Sequence, residues 1–249
     1  MSKRKVDGDE GSSSDSDVSL IDVDFDFFDP NPNVDYHAFK RLLGQLFQRD
    51  ADRFSLHDLT ELILSQPTVG TTIKTDGLES DPYALLTVLN VHQHAQHPTP
   101  APTQLGLVIC ERLVNMPVQT VPPMYRMLTD ELKWAVADGE PYAFTHLLFI
   151  SRAEEALANR APSRRSKKSK KQKPRQPPEQ QRPQDGIYSF HPEDTLIREH
   201  TMHSLSYSYS ADSAPREADS FGLDVRGSLM LIESSRWQSL VERMAEVYV

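Results

Sequence analysis

The sequence has one cysteine, few glycines and no long apolar run, and each shortage excludes a class of protein. The single cysteine, Cys110, cannot form a disulfide within the chain, which favours a reducing compartment. The opening residues, MSKRKVDGDEGSSSDSD, contain no apolar stretch of the kind that a secretory signal needs. An apolar stretch such as Phe144 to Ile150 is far shorter than the ~20 residues that cross a bilayer. We therefore expect neither a secreted nor a membrane-spanning protein.

Motifs that carry catalysis are also missing. The chain has 10 glycines, none arranged as a phosphate-binding or dinucleotide-binding loop, and no G-x-S-x-G turn. Cys110 ends the apolar segment LGLVIC, where a thiol is usually buried and inert. The histidines of HQHAQH (His92, His94 and His97) have no cysteine or carboxylate cluster beside them to complete a metal site. We expect no catalytic residue, no metal and no cofactor.

Charge is distributed very unevenly along the chain. The formal net charge is −9, yet residues 160 to 182 contain ten basic residues and a single acid, Glu179. The remainder has 17 basic and 35 acidic residues, a formal charge of −18. An acidic body of this kind repels nucleic acid and attracts cationic protein surfaces. Basic proteins, such as ribosomal proteins or histones, are therefore the expected partners, and direct binding of nucleic acid is not expected.

Two segments have the composition of disordered chain. Residues 1–20 form an acidic, serine-rich tail with almost no large apolar residue, and residues 158–185 form a basic linker rich in proline and glutamine. The tail places Asp15 three residues after Ser12 and Asp17 three after Ser14, the spacing that an acid-directed kinase prefers. Ser12 and Ser14 are candidate phosphorylation sites, and a solvating tail that is never modified is the alternative.

Between these segments the apolar pattern alternates between the helical and the extended period, which predicts one α/β or α+β domain over residues 21–249 with the linker inserted in it. The predicted strands lie in 21–30 (an edge strand), 68–75, 83–91, 105–110, 143–152 and 228–233, with a further pair formed by GIYSFHP and HTMHSLSYSYS. The predicted helices begin near Asp35, after Ser55 as N-cap, near Val121 and after Ser234 or Ser235, and residues 92–104 are predicted as a loop.

Three apolar features have ordinary structural explanations. Trp134 and Trp237 lie at helical spacings among apolar residues, so we expect both in the core. The leucines of LHDLTELI would permit a nuclear export signal, although core packing explains them equally well.

The basic run from Arg164 to Arg175 is the clearest functional signal. It indicates a nuclear localisation signal, because accessible, densely basic segments bind the acidic grooves of import receptors. Contact with a nucleic acid or a partner, and a merely solvated linker, are the alternatives. No aromatic residue interrupts the run to stack on bases. The residues assigned to the signal are Arg164, Arg165, Lys167, Lys168, Lys170, Lys171, Lys173 and Arg175.

The segment GLVICERLVNMPVQTVPPMYRML, residues 106–128, resembles the central strand and helix of the BCCIP family and its fungal BCP members. YHAFKRLLGQLF, TVGTTIK, YALLTVLN, YAFTHLLFIS and SLMLIESSRWQSLVERM resemble other parts of the same family, so the likeness extends from about Val23 to the C-terminus.

The resemblance implies a mixed sheet flanked by helices, similar to the GNAT acetyltransferase superfamily. It also implies residence in the nucleus with shuttling to the cytoplasm, a role in nuclear export and protein transport through import and export receptors, and escort of a basic large-subunit ribosomal protein. The sequence does not identify the residues that would bind such a client.

A GNAT-like fold does not by itself imply acetyl transfer. Acetyltransferases of that superfamily bind the cofactor pyrophosphate on backbone amides of a glycine-containing turn, whereas here ERLVNMPVQTVPPMY has no glycine and contains Pro117, Pro122 and Pro123, which have no amide hydrogen. We therefore expect a protein that is not an enzyme. The alternatives are a degenerate acyltransferase and a nucleic-acid-associated adaptor that contacts phosphates through residues 164–175.

Overall fold

The computed structural model describes residues 23–66, 68–94, 104–156, 187–210 and 223–248. Its strands are β1 (Asp26–Phe28), β2 (Thr71–Lys74), β3 (Ala84–Asn90), β4 (Leu105–Arg112), β5 (His146–Ala156), β6 (Ile187–Ser189), β7 (His203–Ser208) and β8 (Leu223–Glu233). Its α-helices are α1 (Tyr36–Phe47), α2 (Leu56–Leu64), α3 (Val91–His94), α4 (Val121–Ala137), α5 (Glu193–His200) and α6 (Trp237–Val247). Short 3-10 helices precede α4 at Val118–Thr120 and α6 at Ser234–Arg236 and follow α1 at Gln48–Arg53. None of the described helices is long and apolar enough to span a bilayer.

The strands form one mixed sheet in the order β1-β2-β3-β4-β5-β8-β7, with β6 paired to β5 beside this path. Among the described strands only β4 and β5 run parallel, and their pairing extends from Leu105 opposite His146 to Ile109 opposite Ile150. Beyond that point β6 takes over as the neighbour of β5, at Ala153 to Glu155. The two parallel strands therefore separate towards their C-terminal ends, and the segment that contains β6 lies where they separate.

Helices cover both faces of the sheet. The apolar run of β3 supplies both layers, because alternate residues of a strand point to opposite faces: Leu86 and Val88 belong to the core beneath α4 and α6, while Leu85 and Leu89 belong to the core beneath α1 and α2. In α1 the residues spaced by three and four, Phe39, Leu42, Leu43 and Leu46, are at most 2% exposed. The predicted architecture, a mixed sheet flanked by helices, is confirmed.

The predicted strand positions agree closely in the first half of the chain. β1 lies at the sheet edge as predicted, and β2 ends before the Asp76-Gly77 turn, where Gly77 takes a positive φ of 82°. Helix α2 follows Ser55 as predicted, but the Ser55 side chain makes no capping hydrogen bond. Residues 92–94, predicted as loop, form the short helix α3 together with Val91, which was predicted as the end of the preceding strand.

The strand pairing predicted in the second half of the chain was wrong. GIYSFHP and HTMHSLSYSYS do not pair with each other: β6 pairs with β5, and β7 pairs with β8. Helix α5 lies between them and was not predicted, because its sequence EDTLIREH has only Leu196 and Ile197 as apolar residues. The helix instead buries two acids, Glu193 and Asp194, whose partners lie in β4 and β5.

Trp134 was predicted to lie in the core, and that prediction was wrong. Trp237 is 7% exposed, stacks against Tyr125 and Phe149, and donates its indole N–H to Thr129 Oγ1 at 2.8 Å. Trp134, in contrast, is 68% exposed on α4. Glu131, one turn earlier in α4, is buried instead, where it accepts hydrogen bonds from Gly70 N and Thr71 Oγ1.

Candidate functional site

A buried charged cluster fills the place where β4 and β5 separate. Strand β4 ends in Glu111 and Arg112, which are 0% and 4% exposed, and β5 contributes Arg152, which is 3% exposed. The turn and first residues of α5 supply His191 and Glu193. Because the cluster draws on β4, β5 and α5, it joins the chain on both sides of the linker predicted at residues 158–185.

Glu111 is the centre of the cluster. Its Oε1 accepts hydrogen bonds from Arg152 Nη2 at 2.8 Å and Gln45 Nε2 at 2.9 Å, and lies 3.0 Å from His191 Nε2. Burial alone would raise the pKa of Glu111, but the hydrogen bond and charge of His191, together with Arg152, outweigh it and hold this pKa below its ordinary value. Glu111 is therefore ionised at neutral pH.

Arg112 and Arg152 are both neutralised within the cluster. Arg112 makes a two-pronged ion pair with Glu193, in which Nη2 donates to Oε2 at 2.9 Å. The guanidinium carbon of Arg152 lies 3.6 Å from the centre of the Phe190 ring, a cation–π contact that adds to its ion pair with Glu111. These contacts fix β6 and α5 against the ends of β4 and β5.

Asp194 has a different environment from its neighbours. Burial, reinforced by the negative charge of Glu193, raises the pKa of Asp194 to about 7, even though Ser151 Oγ donates a hydrogen bond to Asp194 Oδ2 at 2.5 Å. Burial also raises the pKa of the nearby Cys110 thiol, so that the thiol stays protonated and is a weak nucleophile. Buried groups with shifted pKa values can mark catalytic sites, but burial beside the structural ion pairs of this cluster explains the raised pKa values of Asp194 and Cys110 equally well.

The connection from β4 to α4 gives no cradle for an anion. Residues 113–120 contain no glycine, and Pro117 precedes the 3-10 helix that leads into α4. Helix α4 then begins with Pro122 and Pro123 in its first turn, so two of the amide hydrogens that a helix N-terminus would present are missing. Backbone groups here are poorly suited to hold a pyrophosphate.

The same connection borders an open cleft of about 820 Å³ at the edge of the sheet. The cleft is lined by Val23, Asp24, Phe25, Thr75, Asp76, Tyr83, Asn115, Met116 and Pro117. Two carboxylates thus face a partly apolar wall, and none of the described lining residues is a lysine or arginine. Val23 is 45% exposed, which leaves apolar surface available to a partner. We call this group of residues the acidic cleft.

Negative charge continues along the β1 edge beyond the acidic cleft. Asp26 and Asp29 are exposed on and beside β1, and the turn after β2 exposes further acids. Among the described residues of this region, Arg41 and Lys74 are already paired: Arg41 lies 3.3 Å from Asp81, and Lys74, which is fully buried, donates to Asp35 at 2.6 Å. A cationic partner approaching this edge would therefore meet uncompensated carboxylates.

Most residues singled out in the sequence lie outside the described residues. These are Ser12, Ser14, the basic residues from Arg164 to Arg175, and His97. His92 and His94 lie in α3, and nowhere in the described ranges do three or more histidine, cysteine, aspartate or glutamate side chains group as metal ligands. In LHDLTELI, Ile63 is buried and Leu56, Leu59 and Leu62 pack against the core beneath α1 and α2. Core packing therefore accounts for these residues.

Comparison with known proteins decides the family. The family model described as BCCIP matches residues 20–102 and 98–197. The chain belongs to the BCCIP family. Among curated relatives, "Protein bcp1" of Emericella nidulans is 38% identical over 270 residues, which cover 95% of this chain and 91% of that protein. "Protein bcp1" of Schizosaccharomyces pombe is 35% identical, with 93% of this chain and 92% of that protein covered.

A solved crystal structure has the same fold. "Crystal structure of BCP1 from Saccharomyces Cerevisiae" matches with a TM-score of 0.63 and 24% sequence identity over 95% of this chain and 93% of that chain.

The acidic cleft and the buried cluster were not predicted from the sequence. The only signal for the cluster was the charged pair Glu111-Arg112 at the end of an apolar strand, and its partners in β5 and around α5 lie 41 to 81 positions away.

Proposed function

We propose that this BCCIP-family protein is a non-enzymatic carrier that binds a basic protein, escorts it and hands it over during transport between nucleus and cytoplasm. A large-subunit ribosomal protein is the client that the family resemblance favours, which would give the protein a role in ribosome biogenesis. The observation that carries the proposal is the acidic cleft, with its carboxylates Asp24 and Asp76, on a body that has a formal charge of −18 outside the basic segment.

Charge complementarity supports a basic client. Carboxylates without a neighbouring cation attract a lysine- or arginine-rich surface, raise its rate of encounter and discriminate against acidic surfaces. The apolar wall of the acidic cleft, which includes Phe25 and Met116, would cover apolar client surface that is exposed before assembly. Binding driven in this way weakens as salt screens the charges.

The basic segment supports the transport part of the proposal. Arg164 to Arg175 would bind an import receptor and bring the carrier to the nucleus, where an export receptor would return it with or without its client. Phosphorylation of Ser12 and Ser14 would add negative charge to the tail and strengthen attraction to a basic client.

The residues at the positions where catalysis would be expected support a role that is not enzymatic. Pro117, Pro122 and Pro123 lie at the turn where an acetyltransferase presents amide hydrogens, and the Cys110 thiol stays protonated. Calorimetric titration with acetyl-CoA is expected to show no heat of binding. Saturable binding of acetyl-CoA at micromolar concentrations would instead favour the alternative of a degenerate acyltransferase.

Affinity purification of the tagged protein from its own cells tests the client directly. At low salt we expect a basic ribosomal protein in near-stoichiometric amount, and at moderate salt we expect most of it to be lost. Co-purification of nucleic acid without a basic protein would contradict the proposal. So would a client whose recovery does not change with salt.

A further inference from the structure

Trp134 is the most exposed aromatic side chain among the described residues, and acids surround it. It is 68% exposed, and it lines a surface pocket of about 400 Å³ together with Asp29, Thr68, Glu131, Ala135 and Asp138. A large ring left in water costs free energy that burial against a partner would recover. Because a single exposed apolar residue is common on folded proteins, the acids around the ring, and not its exposure alone, point to an interaction site.

The geometry of α4 explains why the ring and the acids meet. Residues three and four positions apart are neighbours on a helix, so Glu131 and Asp138 flank Trp134 along one stripe of α4. Asp29, which follows β1, approaches the same pocket from the sheet edge. The pocket therefore joins one π-face to carboxylates from two separate elements.

No cation among the described residues lines this pocket. Lys133, the neighbour of Trp134 in sequence, lies 3.2 Å from Asp130 instead. Burial raises the pKa of Glu131, and the charges of Asp29 and Asp130 raise it further, against the hydrogen bonds from Thr71 and Gly70. Among the described residues, no lining cation therefore offsets the charges of Asp29 and Asp138 beside Trp134.

We propose that Trp134, Asp29 and Asp138 form a site for one lysine or arginine side chain of the basic client. The cation would lie on the indole face, where the ring quadrupole attracts it, while the carboxylates accept its hydrogen bonds. This inference rests on the proposed function and names a contact for it. Asp29 follows β1 and the acidic cleft begins at Val23 before it, so an extended basic segment lying along β1 would reach both.

The test uses the full-length protein and a synthetic peptide of twelve residues that repeats Gly-Arg-Ser and contains no aromatic residue. Binding is measured at low salt by anisotropy of a labelled peptide, and by intrinsic fluorescence with the unlabelled one. The chain has only two tryptophans, and Trp237 is buried, so a change in emission reports on Trp134. The control variant is Leu205→Ala, which removes an apolar side chain that is 59% exposed on β7.

We expect Trp134→Ala to weaken peptide binding about five- to tenfold and Trp134→Phe to weaken it less, since phenylalanine keeps a weaker π-face. Asp138→Asn should weaken binding in the same direction, Leu205→Ala should bind as the wild type does, and the peptide should change the Trp134 emission.

Equal binding by wild type and Trp134→Ala would overturn the site while leaving the acidic carrier intact. Failure to bind the peptide at low salt, by the wild-type protein and also by a variant that lacks residues 164–175, would count against the carrier as well. If peptide binding and the emission change appeared only after residues 164–175 were deleted, the chain's own basic segment would be the occupant, and the assignment to a client would be wrong.

Discussion

Arg152 donates a hydrogen bond to Glu111 at 2.8 Å, and neither side chain is more than 4% exposed. The pair joins β5 to the end of β4 where the parallel ladder has already stopped. Removing one member of a buried ion pair leaves the other charged and without its partner, which usually costs about 3–5 kcal/mol.

We therefore expect Arg152→Ala to lower the free energy of unfolding by about 3 kcal/mol or more. The variant leaves the Glu111 carboxylate buried without this arginine, and it removes the cation–π contact with Phe190. Urea denaturation followed by circular dichroism measures this. Lys133→Ala removes an exposed partner from its ion pair and should cost less than about 1 kcal/mol. Equal effects of the two variants would show that the cluster does not stabilise the fold.

The second buried ion pair should respond in the same way. Lys74 donates to Asp35 at 2.6 Å and to the carbonyl oxygen of Leu78 at 2.6 Å, with both side chains fully buried. We expect Lys74→Met to cost about 3–5 kcal/mol, because it leaves the Asp35 carboxylate buried without a cation. The double variant Lys74→Met, Asp35→Leu should recover part of this loss. A double variant no more stable than Lys74→Met alone would contradict this reading.

Asp194 and Glu111 should make the stability of the protein depend on pH in opposite directions. The folded-state pKa of Asp194 is raised from 3.8 to about 7, so its contribution to stability is fully present below about pH 4 and is lost as the pH rises through 7. The pKa of Glu111 is lowered, so its contribution is present above its ordinary value of 4.5 and is lost as the pH falls through the folded-state pKa.

Asp194→Asn should therefore gain stability relative to the wild type between pH 5 and pH 8, by more than about 1 kcal/mol. Glu111→Gln should be less stable than the wild type at neutral pH, and this difference in the free energy of unfolding should shrink only below about pH 4.5. Urea titrations at a series of pH values measure both, and Glu199→Gln, at an exposed position of α5, is the control. A pH-independent difference between wild type and Asp194→Asn would show that Asp194 does not titrate in this range.

The basic segment should govern location rather than client binding. Replacing the lysines and arginines between Arg164 and Arg175 by serine is expected to move a fluorescent fusion from the nucleus to the cytoplasm while leaving capture of a basic client unchanged. Microscopy and affinity purification of the same variant separate the two effects. Unchanged nuclear accumulation together with lost binding of RNA or DNA would instead favour the nucleic-acid adaptor.

Local pattern was sufficient to predict the strands from β1 to β5, β8, and the helices α1, α4 and α6, because their apolar spacing matches the burial that the fold gives them. It was insufficient where long-range polar contacts decide the structure. Helix α5 is held by Glu193 against Arg112, 81 positions away, and no local periodicity reports such a pair. Trp134 was misplaced for a related reason, since Gly70 and Thr71 draw the Glu131 carboxylate inward at the flank of α4.

The acidic cleft was not predicted because its residues come from three segments that are distant in sequence. Asp24 precedes β1, Asp76 follows β2, and Met116 belongs to the connection before α4. The sequence indicated only that the body was acidic, and pairing of β1 with β2 brings the two carboxylates to one edge.

Client capture by a variant that lacks the cleft charges tests the central claim most directly. Asp24→Asn with Asp76→Asn removes two negative charges from the acidic cleft, and Asp58→Asn with Glu61→Gln removes two from exposed positions on α2. If the acidic cleft binds a basic client, the first variant should recover severalfold less of it at low salt, and the second should recover as much as the wild type. Equal recovery by all three proteins, or an equal loss in both variants, would contradict the proposal that the acidic cleft is the binding site.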